Sequence, residues 1–149
     1  MRQFADLFTN LDQTNKTNEK LELLKEYFEK ADDNDKLWVL YLFSGGKIKK
    51  YFTSAKLREW VKEYTGYPDW LLEESYYSVG DMAETIALIL PESQNHIERT
   101  LSEWIAYLES LKDLSEDERK NKVIDAWKNL EKDERFVFNK IITGGFRIG

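Results

Sequence analysis

The chain has 149 residues with 42% hydrophobic and 14% aromatic content, enough for one domain with a packed core and too apolar for a disordered segment. It contains no cysteine, which excludes disulfides, thiolate catalysis and cysteine-based metal sites. A net charge of −6 disfavours indiscriminate binding to nucleic acid, and no run of about 18 apolar residues offers a membrane span.

Phe4, Leu7, Phe8 and Leu11 fall at i, i+3, i+4 and i+7, so residues 2–11 read as an amphipathic helix. This polar opening resembles neither a signal peptide nor a transit peptide, and a cytoplasmic location is expected. After a polar loop, Thr17 is placed to cap a second helix that buries Leu21, Leu24, Tyr27, Phe28 and Ala31. Leu37, Trp38, Leu40, Tyr41, Leu42 and Phe43 are apolar nearly all round, the pattern of a central buried helix, which Gly45 and Gly46 end. Residues 47–52 read as a basic, aromatic connector.

Thr53 or Ser54 caps a helix carrying Leu57, Trp60, Val61 and Tyr64, closed by Gly66. Asp69 starts another, running through Leu72 and Tyr76 to Val79. Asp81 with Glu84 resembles a capping box opening a helix over 82–90, which Pro91 stops. Residues 92–99 form a polar loop. Thr100 with Glu103, and Ser115 with Glu118, repeat the capping pattern before the faces Leu101, Trp104, Ile105, Leu108, Leu111 and Val123, Ile124, Trp127, Leu130. Asp133 is placed to cap the last helix, with Val137, Phe138, Ile141 and Ile142. No alternating run survives as a strand, so the expectation is one layered all-α domain of eight or nine short helices.

No residue constellation for catalysis emerges. His96 is the only histidine and sits in the polar loop, where it lacks an orienting partner for proton transfer. A histidine-based zinc site would need further ligands of that type, so no metal site is expected. The carboxylate clusters Glu73-Glu74 and Glu116-Asp117-Glu118 fall at caps or solvated positions, and the tryptophans fall on apolar helical faces. Phosphate-loop, dinucleotide and nucleophile-elbow motifs are absent.

Two stretches suit a polyanion. Gly144, Gly145 and Gly149 leave main chain uncovered around Arg147, whose five donors match a phosphate. The same residues also read as a helix cap followed by a frayed end. Between Gly45 and Lys62, six cations (Lys47, Lys49, Lys50, Lys56, Arg58 and Lys62) face Glu59 alone. Such a patch suits one polyanion-facing surface or an ordinary solvated one.

Three stretches, in order, resemble the N-terminal DNA-binding domain of bacterial ATP-dependent DNA ligases. They are Phe4-Ala5-Asp6-Leu7-Phe8 onward to Lys20-Leu21; Val79-Gly80-Asp81-Met82-Ala83-Glu84-Thr85; and Arg135-Phe136 through Lys140-Ile141-Ile142 to Gly144-Gly145-Phe146-Arg147-Ile148-Gly149. The resemblance implies an all-α domain lying across the minor groove at a nick, independent of sequence, in DNA repair, replication or recombination. It implies contacts to DNA phosphates from Gly144, Arg147 and Gly149, with Gly145 in the same turn and with Thr17 and Lys20 near the duplex. Lys47, Lys49 and Lys50 join this set on charge alone. The family's catalytic and OB-fold domains would follow, using ATP and Mg²⁺. No Lys-x-Asp-Gly adenylation motif occurs here, so this piece is expected to hold no cofactor and to be inactive alone, with nicked duplex and the parent's catalytic domain as partners. The rival reading is an all-helical protein–protein interaction module.

Overall fold

The computed structural model describes residues 1–146, and among them the chain forms α-helices and no strand. In order these are α1 (Arg2–Gln13), α2 (Thr17–Lys30), α3 (Asp33–Phe43), α4 (Ser54–Thr65), α5 (Asp69–Val79), α6 (Met82–Ile89), α7 (Leu101–Glu109), α8 (Glu116–Lys128) and α9 (Lys132–Thr143). A 3-10 turn, Ser110–Asp113, continues α7 and was not legible in the periodicity.

Side-chain caps mark four of these helix starts. Thr53 Oγ1 accepts from Lys56 N at 3.1 Å, and Asp81 Oδ1 from Glu84 N at 3.0 Å. Thr100 with Glu103 and Ser115 with Glu118 close reciprocal capping boxes. Two expected caps are different. Thr17 is the first residue of α2, preceded by Lys16, and Asp133 lies inside the first turn of α9, preceded by Glu131; neither helix has a side-chain cap. The α2 helix thus starts at the polar residue chosen from sequence, and α9 starts one residue before it. Acidic groups still sit in each first turn, where they favour the positive helix end.

The centre of the fold is α9 rather than α3. On α9, Val137, Phe138, Ile141 and Ile142 are buried, and so are Glu134, Arg135 and Asn139. Helices α1 and α6 both pack against it. The expectation of a buried α3 fails. Val39 and Leu42 are buried, whereas Leu37 is 67% and Leu40 56% exposed. One side of α3 packs on α7, while Leu37, Leu40 and Tyr41 remain exposed. Asp35 makes that junction, accepting from Ser102 N at 2.9 Å and Ser102 Oγ at 2.6 Å. Of the tryptophans, Trp60, Trp104 and Trp127 are core, but Trp70 on α5 is largely exposed.

Candidate nucleic-acid interface

Phe146 sets the geometry of the glycine turn. Its ring is buried and meets Phe8 edge-on at 5.0 Å between centroids, with Phe4 at 5.6 Å and Phe43 at 5.8 Å. The main chain must therefore leave α9 at Thr143 and reach this aromatic cluster within a few residues. Gly144 and Gly145 provide the path, with φ of +81° and +86°. Gly144, with ψ of −177°, occupies a region that a Cβ essentially closes. Its N–H donates to Lys140 O at 2.7 Å, so this donor caps the helix and is not left uncovered as expected. Gly145 is exposed, and a Cβ built there would meet nothing within 4 Å.

The basic connector is brought to this turn. The Lys47 stem passes Gly144 closely enough that a Cβ on Gly144 would lie 3.4 Å from Lys47 Cε. The connector is held at both ends. Gly46 lies against Tyr41 so tightly that a Cβ would fall 2.6 Å from the ring, and the Tyr41 hydroxyl donates to Lys47 O at 2.8 Å. At the other end Arg119 donates to Tyr51 O at 2.6 Å, to Leu111 O at 2.8 Å and to Lys112 O at 2.8 Å. Arg119 carries no signal in the sequence, because all three acceptors are main-chain carbonyls remote along the chain or in a neighbouring turn.

Lys47, Lys49 and Lys50 are exposed. Lys49 Nζ lies 5.7 Å from the centre of the Tyr51 ring, and Lys50 Nζ donates to Ser54 Oγ at 3.1 Å. None of these three enters an ion pair among the described residues, whereas Lys56 pairs with Glu59 and Glu116, and Lys62 with Asp69. The hydrogen bond that Lys56 donates to Glu116, reinforced by that to Glu59, holds its ammonium above its ordinary range. The patch read from sequence thus divides: its first half keeps uncompensated charge, and its second half is partly neutralised.

Thr17 and Lys20 are on α2, which packs on α1, and α1 in turn packs on α9. They belong to a different layer from the glycine turn. Arg147 and Gly149 lie outside the described residues.

The second and third sequence stretches meet directly. Lys140 Nζ pairs with Asp81 Oδ2, Asn139 Nδ2 donates to Ala83 O at 3.2 Å, and Trp127 Nε1 donates to Asn139 Oδ1 at 2.8 Å. The first stretch joins them through α1 and its phenylalanines. His96 is not the unpartnered loop residue expected: its Nε2 lies 2.8 Å from Oε1 of the buried Glu134.

A family model described as DNA ligase N terminus matches residues 1–149, the whole chain. Among curated proteins none matches.

Proposed function

Because this chain belongs to the DNA ligase N-terminus family, we propose that it binds duplex DNA around a nick, without reading sequence, and holds it for a catalytic domain of the same parent chain. What carries the reading is the meeting of Lys47 with the glycine turn, two features nearly a hundred residues apart in sequence. Together they offer open main chain beside uncompensated ammonium groups, a combination suited to a phosphate rail. Arg147 follows at once in sequence and adds a guanidinium fork. Phosphate contacts position a protein without specifying bases, as a nick of any sequence requires. Lys49 and Lys50 extend the cationic track. Thr17 and Lys20 take the duplex at a second, separate point.

The parent is a ligase that uses ATP and Mg²⁺ to seal the nick in repair, replication or recombination, in a bacterial cytoplasm. No helix of the described residues is long and apolar enough to cross a membrane.

Anisotropy titrations of a fluorescent nicked duplex at several salt concentrations test the reading. The expected log–log slope is about −0.9 per phosphate neutralised, and Lys47→Ala or Arg147→Ala should each flatten it by roughly one unit. Binding that ignores both salt and these substitutions would overturn it. The rival interaction module has its own support in the uncovered side of α3, with Leu37, Leu40 and Tyr41 exposed. That reading predicts no DNA binding even at low salt.

A further inference from the structure

The opposite end of α9 presents a different chemistry. Glu134 lies ten residues before Gly144, about 15 Å along a helix rising 1.5 Å per residue. There His96 Nε2 stands 2.8 Å from Glu134 Oε1 and 3.7 Å from Glu98 Oε2. One ligand atom from each of the three residues lies within 4.8 Å of the others. Two come from the 91–100 connector and the third from the first turn of α9.

Glu134 is the informative member. It is 0% exposed, and its Oε2 is buried with no hydrogen-bond partner among the described residues. A buried oxygen left in that state is destabilising, the more so where it carries charge. The only group within ion-pair distance of Glu134 among the described residues is the His96 imidazole. Arg135, next in the chain, turns its guanidinium to Trp127 O and Pro91 O instead. Glu98 divides its oxygens: Oε1 accepts from the Met1 ammonium at 3.2 Å, and Oε2 is on the His96 side.

We propose that His96, Glu98 and Glu134 bind one divalent transition-metal ion of the zinc type. An imidazole with two carboxylates is a donor set such ions accept, and two carboxylates balance the double charge. With bonds of about 2.0–2.1 Å, neighbouring ligand atoms in a tetrahedral site stand about 3.3–3.4 Å apart. The observed 2.8 Å and 3.7 Å fall on either side of that spacing. Glu98, whose side chain is 64% exposed, has room to close the widest gap. His96 binds through Nε2 and keeps its proton on Nδ1, so uptake of the ion releases any proton that Nε2 held. Water completes the coordination. The ion neutralises the buried Glu134 and fastens the 91–100 connector to the helix whose other end carries the glycine turn. Its role is structural and does not depend on DNA binding.

Calorimetric titration of tag-free protein with zinc chloride tests this, alongside melting curves and cobalt(II) absorption spectra. The expected results are a single 1:1 event, a raised melting temperature and a four-coordinate cobalt spectrum. His96→Gln and Glu98→Gln should each abolish the 1:1 event and the melting shift. Glutamine at either position keeps a polar side chain, so both variants should still melt cooperatively without metal, and each melting shift is read against its own metal-free curve. Absence of stoichiometric uptake overturns the proposal. So does uptake that persists undiminished in both variants, since it would locate the ion at carboxylates elsewhere.

Discussion

Glu84 and Glu103 occupy equivalent places in sequence, each three residues after a capping side chain, yet the structure drives them in opposite directions. Glu103 returns its carboxylate to Thr100 N at 2.9 Å, and this hydrogen bond to the backbone holds its acidity above that of an ordinary glutamate. Burial pushes the Glu84 carboxyl above its usual range, and Asp12 and Asp81 add to the effect against Lys140 and Lys132. The consequences for stability have opposite signs. A carboxylate with a raised folded-state pKa opposes folding above that pKa, and the penalty fades as pH falls to the unfolded value. Glu84→Gln should therefore raise the melting temperature at neutral pH, with the gain shrinking in acid. A lowered pKa does the reverse: Glu103→Ala should lower the melting temperature at neutral pH, with the loss shrinking as acid protonates the unsubstituted Glu103. Melting curves between neutral pH and pH 4 check both, and shifts of the same sign would refute the distinction.

At the scale of elements, α9 and α3 exchange the roles their sequences suggest. The α3 segment is the more apolar but remains half uncovered. The α9 segment contains Glu134, Arg135 and Asn139 and yet lies at the centre. Each of these residues finds at least one partner on another helix or connector, although Glu134 Oε2 and Arg135 Nη2 have none among the described residues. Asn139 is the clearest case, accepting from the Trp127 indole and donating to Ala83 O, so it ties α8 and α6 to α9. Asn139→Ala would strand the buried Trp127 indole N–H and remove a second bond to Ala83 O, a carbonyl within α6. A loss of about 1–3 kcal/mol is expected, and denaturant unfolding would measure it. A loss below about 1 kcal/mol would show that these bonds do not hold the layers together.

For the whole molecule, the decisive contact joins the first helix to the residues after the last. Phe146 closes against Phe4 and Phe8 of α1 and Phe43 of α3, and this anchors the glycine turn beside Lys47. Phe146→Ala should cost about 3 kcal/mol as a buried aromatic truncation. It should also weaken binding to nicked duplex under conditions where the variant remains folded, although Phe146 faces the core. Unfolding measurements and the anisotropy titration together check this. Unchanged DNA affinity in a folded Phe146→Ala protein would mean that the turn needs no anchor.

The all-helical class, most helix starts and the glycine turn after the last helix were legible because they depend on near neighbours. Apolar spacing, a Thr or Asp three residues before a Glu, and a glycine at a helix end are local signals. Three other features were settled only in the folded chain: the central place of α9, the approach of Lys47 to Gly144, and the grouping of His96 with Glu98 and Glu134. Each depends on which residues, distant in sequence, supply a partner for a buried polar group or share one patch of surface. A one-dimensional pattern shows that Glu134 is a carboxylate in a first helical turn. Burial, and hence the chemistry open to it, follows from what the other helices place around it.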